Sequence, residues 1–279
     1  MREIHVNEIT KAVAELCIKA CVVVAPDIRA YMEKAIAAET GVARQVLDDM
    51  LKNQDIAIER KMPICQDTGM AVVFLEVGQD MRLTGGSLAD AVHEGVRRGY
   101  EEGYLRKSVV ADPINRVNTK DNTPAVIHYD IVPGDSVKIT VSPKGFGSEN
   151  MSRLRMFVPA SGLAAVEDFV LETVTTADAN PCPPIVVGVG VGGTFDYAAN
   201  MAKRALLRKI GSRHPDDFWA DVETRLLDRI NATGIGPAGF GGGTTAMAVH
   251  INTYATHIAG LPVAVNIGCH VNRHEETTL

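Results

Sequence analysis

The sequence predicts a mixed α/β (α+β) fold in one domain, with a helical portion at residues 1–60 and a strand-and-helix portion at 61–279. Three observations carry this. Apolar residues recur at three- and four-residue spacing over the first 60 residues. Short β-branched runs begin near Met70. Helical periods and apolar runs then alternate, with no linker composition and no internal repeat between them.

In the helical portion, Asn7 is placed to cap a helix carrying Ile9, Val13, Leu16, Ala20 and Val24 on one face. Pro26 suits the first turn of a second helix, with Ile28, Met32, Ala35 and Ile36 aligned. Thr40 caps a third, carrying Val46, Leu47 and Met50. Ala71 to Val77 reads as a strand, and Ser87 caps a helix from Leu88 to about Gly103. Ala125–Val132 and Ser136–Ser142 flank Pro133-Gly134-Asp135 and read as a β-hairpin. Ser161 opens a helix through Thr175, and Ile185–Val191 is a β-branched strand. Helices follow at Phe195–Ile210 and Pro215–Ile230, then strands at Thr245–Thr253 and Leu261–Ile267. Arg273–Leu279 reads as a polar tail.

The 46% hydrophobic and 22% charged residues are ordinary globular values. A net charge of −6, with no basic tail or stripe, gives neither nucleic acid nor an anionic membrane an electrostatic grip. The longest apolar runs, such as Ile185–Val191, are too short to span a bilayer. The opening residues lack a signal-peptide pattern, so a cytoplasmic location is expected.

Gly188-Val-Gly190-Val-Gly192-Gly193 fits a G-x-G-x-x-G dinucleotide loop. The acidic strand end required some 20 residues later is missing, so a nicotinamide-dependent oxidoreductase is a remote alternative. A tight strand-to-helix turn near some other ligand is the preferred reading. Walker A, His-Glu-x-x-His, Gly-x-Ser-x-Gly and zinc-ribbon patterns are absent. Of the five cysteines, Cys17 and Cys21 sit among apolar helix neighbours and read as core. Cys65, Cys182 and Cys269 each sit in a loop flanked by proline or glycine, 117 and 87 residues apart. Three such thiolates can hold a [4Fe–4S] cluster at three corners and leave one iron open as a Lewis acid. On spacing alone, a loop cysteine is more often structural or incidental.

Four segments change this balance: Pro63-Ile-Cys65-Gln66-Asp67-Thr68-Gly69; Lys144-Gly-Phe-Gly147-Ser148-Glu149-Asn150; Pro181-Cys182-Pro183-Pro184 with the glycines that follow; and Ile267-Gly268-Cys269-His270. In this order, over more than 200 residues, they resemble the α-subunit signature of the class I fumarases, oxygen-sensitive iron–sulfur hydro-lyases that include the L-tartrate dehydratases. The resemblance implies that Cys65, Cys182 and Cys269 ligate a [4Fe–4S] cluster in a cleft of the α/β portion. It implies that Gln66 binds a substrate carboxylate and that Asp67 is the acid for the departing hydroxyl. Without the family, Asp67 reads as an Asx-turn residue. Arg106 matches a dicarboxylate clamp, Gly147 offers a backbone N–H to the substrate, and His257, 12 residues before Cys269, matches an active-site histidine, with His250 and His270 also close in sequence. Phe146 departs from the pattern, since several relatives carry glycine there. The implied activity is reversible hydration of fumarate to (S)-malate, with L-tartrate dehydration as the near alternative. The implied partner is a separate β subunit supplying the C3 base, in a dimer of αβ units.

Overall fold

The computed structural model describes residues 2–279. In chain order it contains β1 (Arg2–His5), α1 (Val6–Val22), α2 (Pro26–Ala38), α3 (Gly41–Arg60), β2 (Met70–Gly78), β3 (Met81–Thr84), α4 (Leu88–Glu102), β4 (Val126–Val132) and β5 (Val137–Lys144). There follow α5 (Phe146–Glu149), β6 (Arg153–Phe157), α6 (Gly162–Ala177), β7 (Ile185–Gly193), α7 (Phe195–Ala205), α8 (Asp217–Asn231), β8 (Ala246–Thr256), β9 (Leu261–Gly268) and β10 (Glu275–Thr278). Helices and mixed sheets together make the expected α/β chain. Among the described residues no helix is long and apolar enough to cross a membrane.

Packing divides the chain into two compact units, one made of residues 2–25, 53–146 and 273–279, the other of 26–52 and 147–272. This division cuts through the helical portion 1–60, because the first helices have different partners. The apolar face of α1 (Ile9, Val13, Leu16, Cys17) joins the core of the first unit with Val73, Leu75, Val96 and Ile139. Helix α2 is fastened within the second unit. There the Tyr31 hydroxyl donates to Ala246 O (3.1 Å), Ile210 N donates to Asp27 Oδ2 (2.6 Å), and Thr244 Oγ1 donates to the buried Glu39 just past the helix (2.6 Å).

The main sheet of the first unit has the order β10-β5-β2-β4, and β1 pairs separately with β3. The expected hairpin between β4 and β5 does not form: β2 lies between them, parallel to β4 and antiparallel to β5. The reason is burial. Ala71 to Leu75 are buried at every position, which demands a central strand, whereas β4 is exposed at intervals and suits an edge. The end of β2 then closes on the 133–135 turn, with Gly78 N donating to Ser136 O and Gln79 N to Val132 O, both 2.9 Å. The cap of α1 is His5 rather than Asn7: Asn7 N donates to His5 Nδ1 while His5 N donates to Glu8 Oε1. The expected polar tail is β10, paired antiparallel with β5 from Glu275↔Val141 to Thr278↔Lys138.

The second unit is built on a sheet of order β6-β9-β7-β8. Alternation along β7 assigns its two faces. Val187, Val189 and Val191 enter a core with Phe169 and Val170 of α6 and Val222 and Leu226 of α8. Gly188 and Gly190 face α7, where a Cβ would lie 2.2 Å from Ala202 O and 2.1 Å from Ala198 O. These glycines lie inside a strand paired on both edges and let α7 rest on its backbone. Helix packing, rather than a pyrophosphate, accounts for this part of the cluster.

Candidate active site

In the first unit, Cys65, Gln66 and Asp67 occupy the loop between α3 and β2. Its polar groups are held almost one by one. The Asp67 carboxylate accepts from two backbone donors, Gly69 N at Oδ1 (3.0 Å) and Phe146 N at Oδ2 (2.9 Å). The Thr68 carbonyl takes the Tyr100 hydroxyl (2.7 Å), and the Gly69 carbonyl takes both Tyr100 (3.1 Å) and Asn122 Nδ2 (3.2 Å). The Cys65 thiol donates to Gln66 Oε1 at 3.4 Å. The half-buried Asp67 and the exposed Gln66 thus stand on a fixed backbone.

The same hydrogen bonds bring in Arg106. Thr68 Oγ1 donates to Arg106 O (3.0 Å), and Asn122 Oδ1 accepts from Ser108 N (2.7 Å) and Val109 N (3.2 Å). Asn122 has no solvent exposure and joins the loop after α4 to the Asp67 loop. An asparagine in a polar loop carries no periodic signal, so nothing in the sequence around Asn122 marks this role. The Arg106 side chain is exposed and its guanidinium is available to an anion.

The second unit brings Cys182 and Cys269 to one end of its sheet. Cys182 precedes β7, Cys269 follows β9, and these strands run antiparallel with Val186 opposite Gly268. His270 joins the two loops by donating to Cys182 O from its backbone N and from Nδ1, both 3.2 Å. Cys182 has a left-handed backbone (φ 56°), a conformation costing about 1 kcal/mol or more that its surroundings must impose. Hydrogen bonds on either side hold it: Cys182 N donates to Ala179 O (3.0 Å), and Ala238 N, in the glycine-rich stretch 234–243, donates to Pro183 O (2.9 Å). Gly147 lies beside the same loop, where a Cβ would stand 3.5 Å from Asn180 O. The motif around Gly147 is held through Glu149, whose carboxylate accepts from Lys203 Nζ (2.5 Å) and Asn266 Nδ2 (2.8 Å).

His257 is not brought to these cysteines. It sits in the turn between β8 and β9, where Ala259 N donates to its Nδ1 (3.1 Å), and it lines a cavity of ≈ 450 Å³ with Gly193, Thr194, Tyr197 and Tyr254. Cys269 is at the opposite end of β9. At about 3.3 Å per strand residue, the 8 residues of that strand separate the two by roughly 25 Å. The short spacing in sequence becomes a long one in space because an extended strand uses up those residues in length.

His250 belongs to the core of the second unit. It is 1% exposed, its Nδ1 donates to Ala205 O (3.2 Å), and its Nε2 has no partner among the described residues. Burial first, then the positive charge of Arg208, lowers its pKa from 6.5 to about 4, against the opposing pull of Glu223 and Asp27. The folded chain therefore keeps His250 neutral where the unfolded chain takes up a proton. Stability is expected to fall as pH drops from 6.5 toward 4 by roughly 3 kcal/mol in all. Denaturant melts at pH 7 and pH 5 should show about 2 kcal/mol of this loss, and His250→Phe should reduce it; an unchanged pH slope in that variant would assign the loss to other groups.

A sequence profile described as fumarate hydratase (Fumerase) matches residues 10–278. The chain belongs to the fumarate hydratase family. It is 41% identical over 273 residues to the putative L(+)-tartrate dehydratase subunit alpha of Methanocaldococcus jannaschii, covering 95% of each chain. It is 34% identical to the L(+)-tartrate dehydratase subunit alpha of Escherichia coli, covering 96% of this chain and 89% of the relative.

The cysteines sort into two kinds that bear on the iron–sulfur cluster typical of this hydro-lyase family. Cys17 and Cys21 have no exposure, and burial raises both thiols, Cys21 to about 11. They remain protonated cores of packing. Cys65 and Cys269 are half-buried and Cys182 is exposed, all on loops, so they are the accessible thiols. That donor set fits three-corner ligation of a cluster. The three are divided, Cys65 in the first unit and Cys182 and Cys269 in the second, and among the described residues no three His, Cys, Asp or Glu side chains are grouped closely enough to hold a single metal ion.

Proposed function

We propose that this chain is the α subunit of an iron–sulfur hydro-lyase that reversibly hydrates fumarate to (S)-malate. The observation that carries this reading is the Asp67 loop. Within three consecutive residues it presents a thiol, an amide and a carboxylate, and the carboxylate is fixed by two backbone N–H groups. Cys65, Cys182 and Cys269 would hold a [4Fe–4S] cluster, which when bound supplies a Lewis-acidic iron for the substrate hydroxyl.

The chain's own residues do the rest of its share. Arg106 presents a planar fork of donors suited to bidentate capture of one carboxylate. Gln66 and the Gly147 N–H add neutral donors that orient it. Asp67 takes the proton of the attacking water in hydration and returns it to the departing hydroxyl in dehydration. His257 is left out of this set because of its distance from Cys269. The base at C3 and a second carboxylate clamp are assigned to a β subunit, a reading supported by relatives that are named alpha subunits.

Those same names favour a second reading, dehydration of L-tartrate, which carries one more hydroxyl. Both readings are tested together by preparing the chain with its partner subunit under argon and comparing turnover of fumarate, malate and L-tartrate. Fumarate hydration well above tartrate dehydration supports the first reading, and the reverse supports the second. Full specific activity from this chain alone would overturn the assignment of groups to a β subunit.

A further inference from the structure

We propose that Arg273 is a positioning residue that acts on the reaction through Asp67, a role that rests on the function of Asp67 proposed above. Arg273 is 7% exposed and lies four residues after Cys269, just ahead of β10. Its Nη2 donates to the Asp67 backbone carbonyl at 2.6 Å, and its own carbonyl accepts from Ser142 Oγ at 3.1 Å. Gly145 marks how closely the parts fit: a Cβ there would stand 3.1 Å from Asp67 Oδ2 and 3.3 Å from Arg273 Nη2. The guanidinium and the carboxylate therefore both approach the Gly145 backbone, where even a Cβ would press on their ends.

The carbonyls of Asp67, Thr68 and Gly69 each take a side-chain donor, respectively Arg273, Tyr100, and Tyr100 with Asn122. Of these donors Arg273 is the charged one, and a charge-assisted bond is roughly twice as strong as a neutral one. It is also the one that holds the Asp67 peptide itself. The two N–H groups fix the carboxylate from the side-chain end, and Arg273 fixes the same residue from the backbone end. Without it, the peptide can tilt and carry the carboxylate off its reacting position. A displacement of about 1 Å in such a group costs on the order of 10² in rate.

The test uses the chain assembled with its partner subunit. Arg273→Gln should lower kcat by about 10²-fold with little change in KM for the dicarboxylate, because Arg106 and Gln66 are untouched. Arg273→Lys, which keeps the charge and one donor, should fall between. Millimolar guanidinium ion should restore part of kcat to Arg273→Gly and none to Asp67→Asn. Independently of activity, hydrogen exchange should show the amides of Gly69 and Phe146 less protected in Arg273→Gln, with those of β2 unchanged. Wild-type kcat in Arg273→Gln, or a loss of kcat with unchanged exchange at those amides and no guanidinium rescue, would overturn the proposal. Loosened amides in an enzyme whose Asp67→Asn variant turns over normally would refute the role of Asp67 and the catalytic half of this inference with it, leaving only the contact.

Discussion

Replacing Cys65, Cys182 or Cys269 singly by serine is expected to abolish turnover and most of the iron and acid-labile sulfide of the anaerobically prepared enzyme. Iron–sulfur clusters are held by thiolates, and a serine hydroxyl at neutral pH is neither ionised nor soft enough to replace one. Each loss should be nearly complete, since a cluster with one iron already open has only three protein ligands to spend. Cys17→Ser and Cys21→Ser serve as the contrast. Both residues have no solvent exposure and pack in the core of α1, so a hydroxyl there costs stability, on the order of 1–3 kcal/mol, without touching a ligand. Iron and sulfide analysis with a thermal melt separates the two classes. Loss of iron in Cys17→Ser, with iron kept in Cys182→Ser, would reverse the ligand assignment.

Asp67→Asn should lower kcat by about 10²–10⁴-fold, the usual penalty for losing a general acid, while cluster iron is retained. The geometry adds a refinement. Both carboxylate oxygens accept from backbone N–H groups, Gly69 on one side and Phe146 on the other. An asparagine has one acceptor to offer, so its amide must turn N–H toward N–H at one of these contacts. A further stability loss of about 1–3 kcal/mol is expected from that mismatch. The measurement is therefore kcat and iron content on the same sample, with a melt to confirm folding. Near-normal kcat at full iron content would remove Asp67 from the mechanism.

What was legible in the sequence was what local rules govern. Helix faces such as Ile9, Val13 and Leu16, the Ser87 cap of α4 and the β-branched run of β7 depend on neighbours a few residues away, and they appear where expected. Motif order was equally legible, and the fumarate hydratase resemblance matches the family found for nearly the whole chain. Long-range pairing was not. The hairpin reading of β4 and β5 failed because nothing near Pro133 records that β2 takes the place between them. The strand β10 was hidden because Glu275–Thr278 alternates exposure only once β5 is its partner. Arg273 and Asn122 escaped notice for the same reason: each looks like a loop residue until distant carbonyls are brought to it.

The discontinuity of the first unit has a consequence for how the chain is made. Its edge strand β10 and Arg273 belong to stretch 273–279, while the strand and loop they complete are emitted long before, with the second unit's 147–272 between. At typical elongation rates of about 5–20 residues per second, the nascent first unit waits on the order of ten seconds without that strand. Over this interval one edge of β5 is an open template for a wrong strand, and closing it requires a contact of very long sequence separation, the slowest kind to form. The second unit is free of that delay for β6 to β9, which leave the ribosome in succession. Vectorial synthesis thus sets an order of maturation in which the Asp67 loop is among the last parts to be secured. A ribosome-release or chaperone defect should therefore reach the Asp67 loop before it reaches the sheet that carries Cys182 and Cys269.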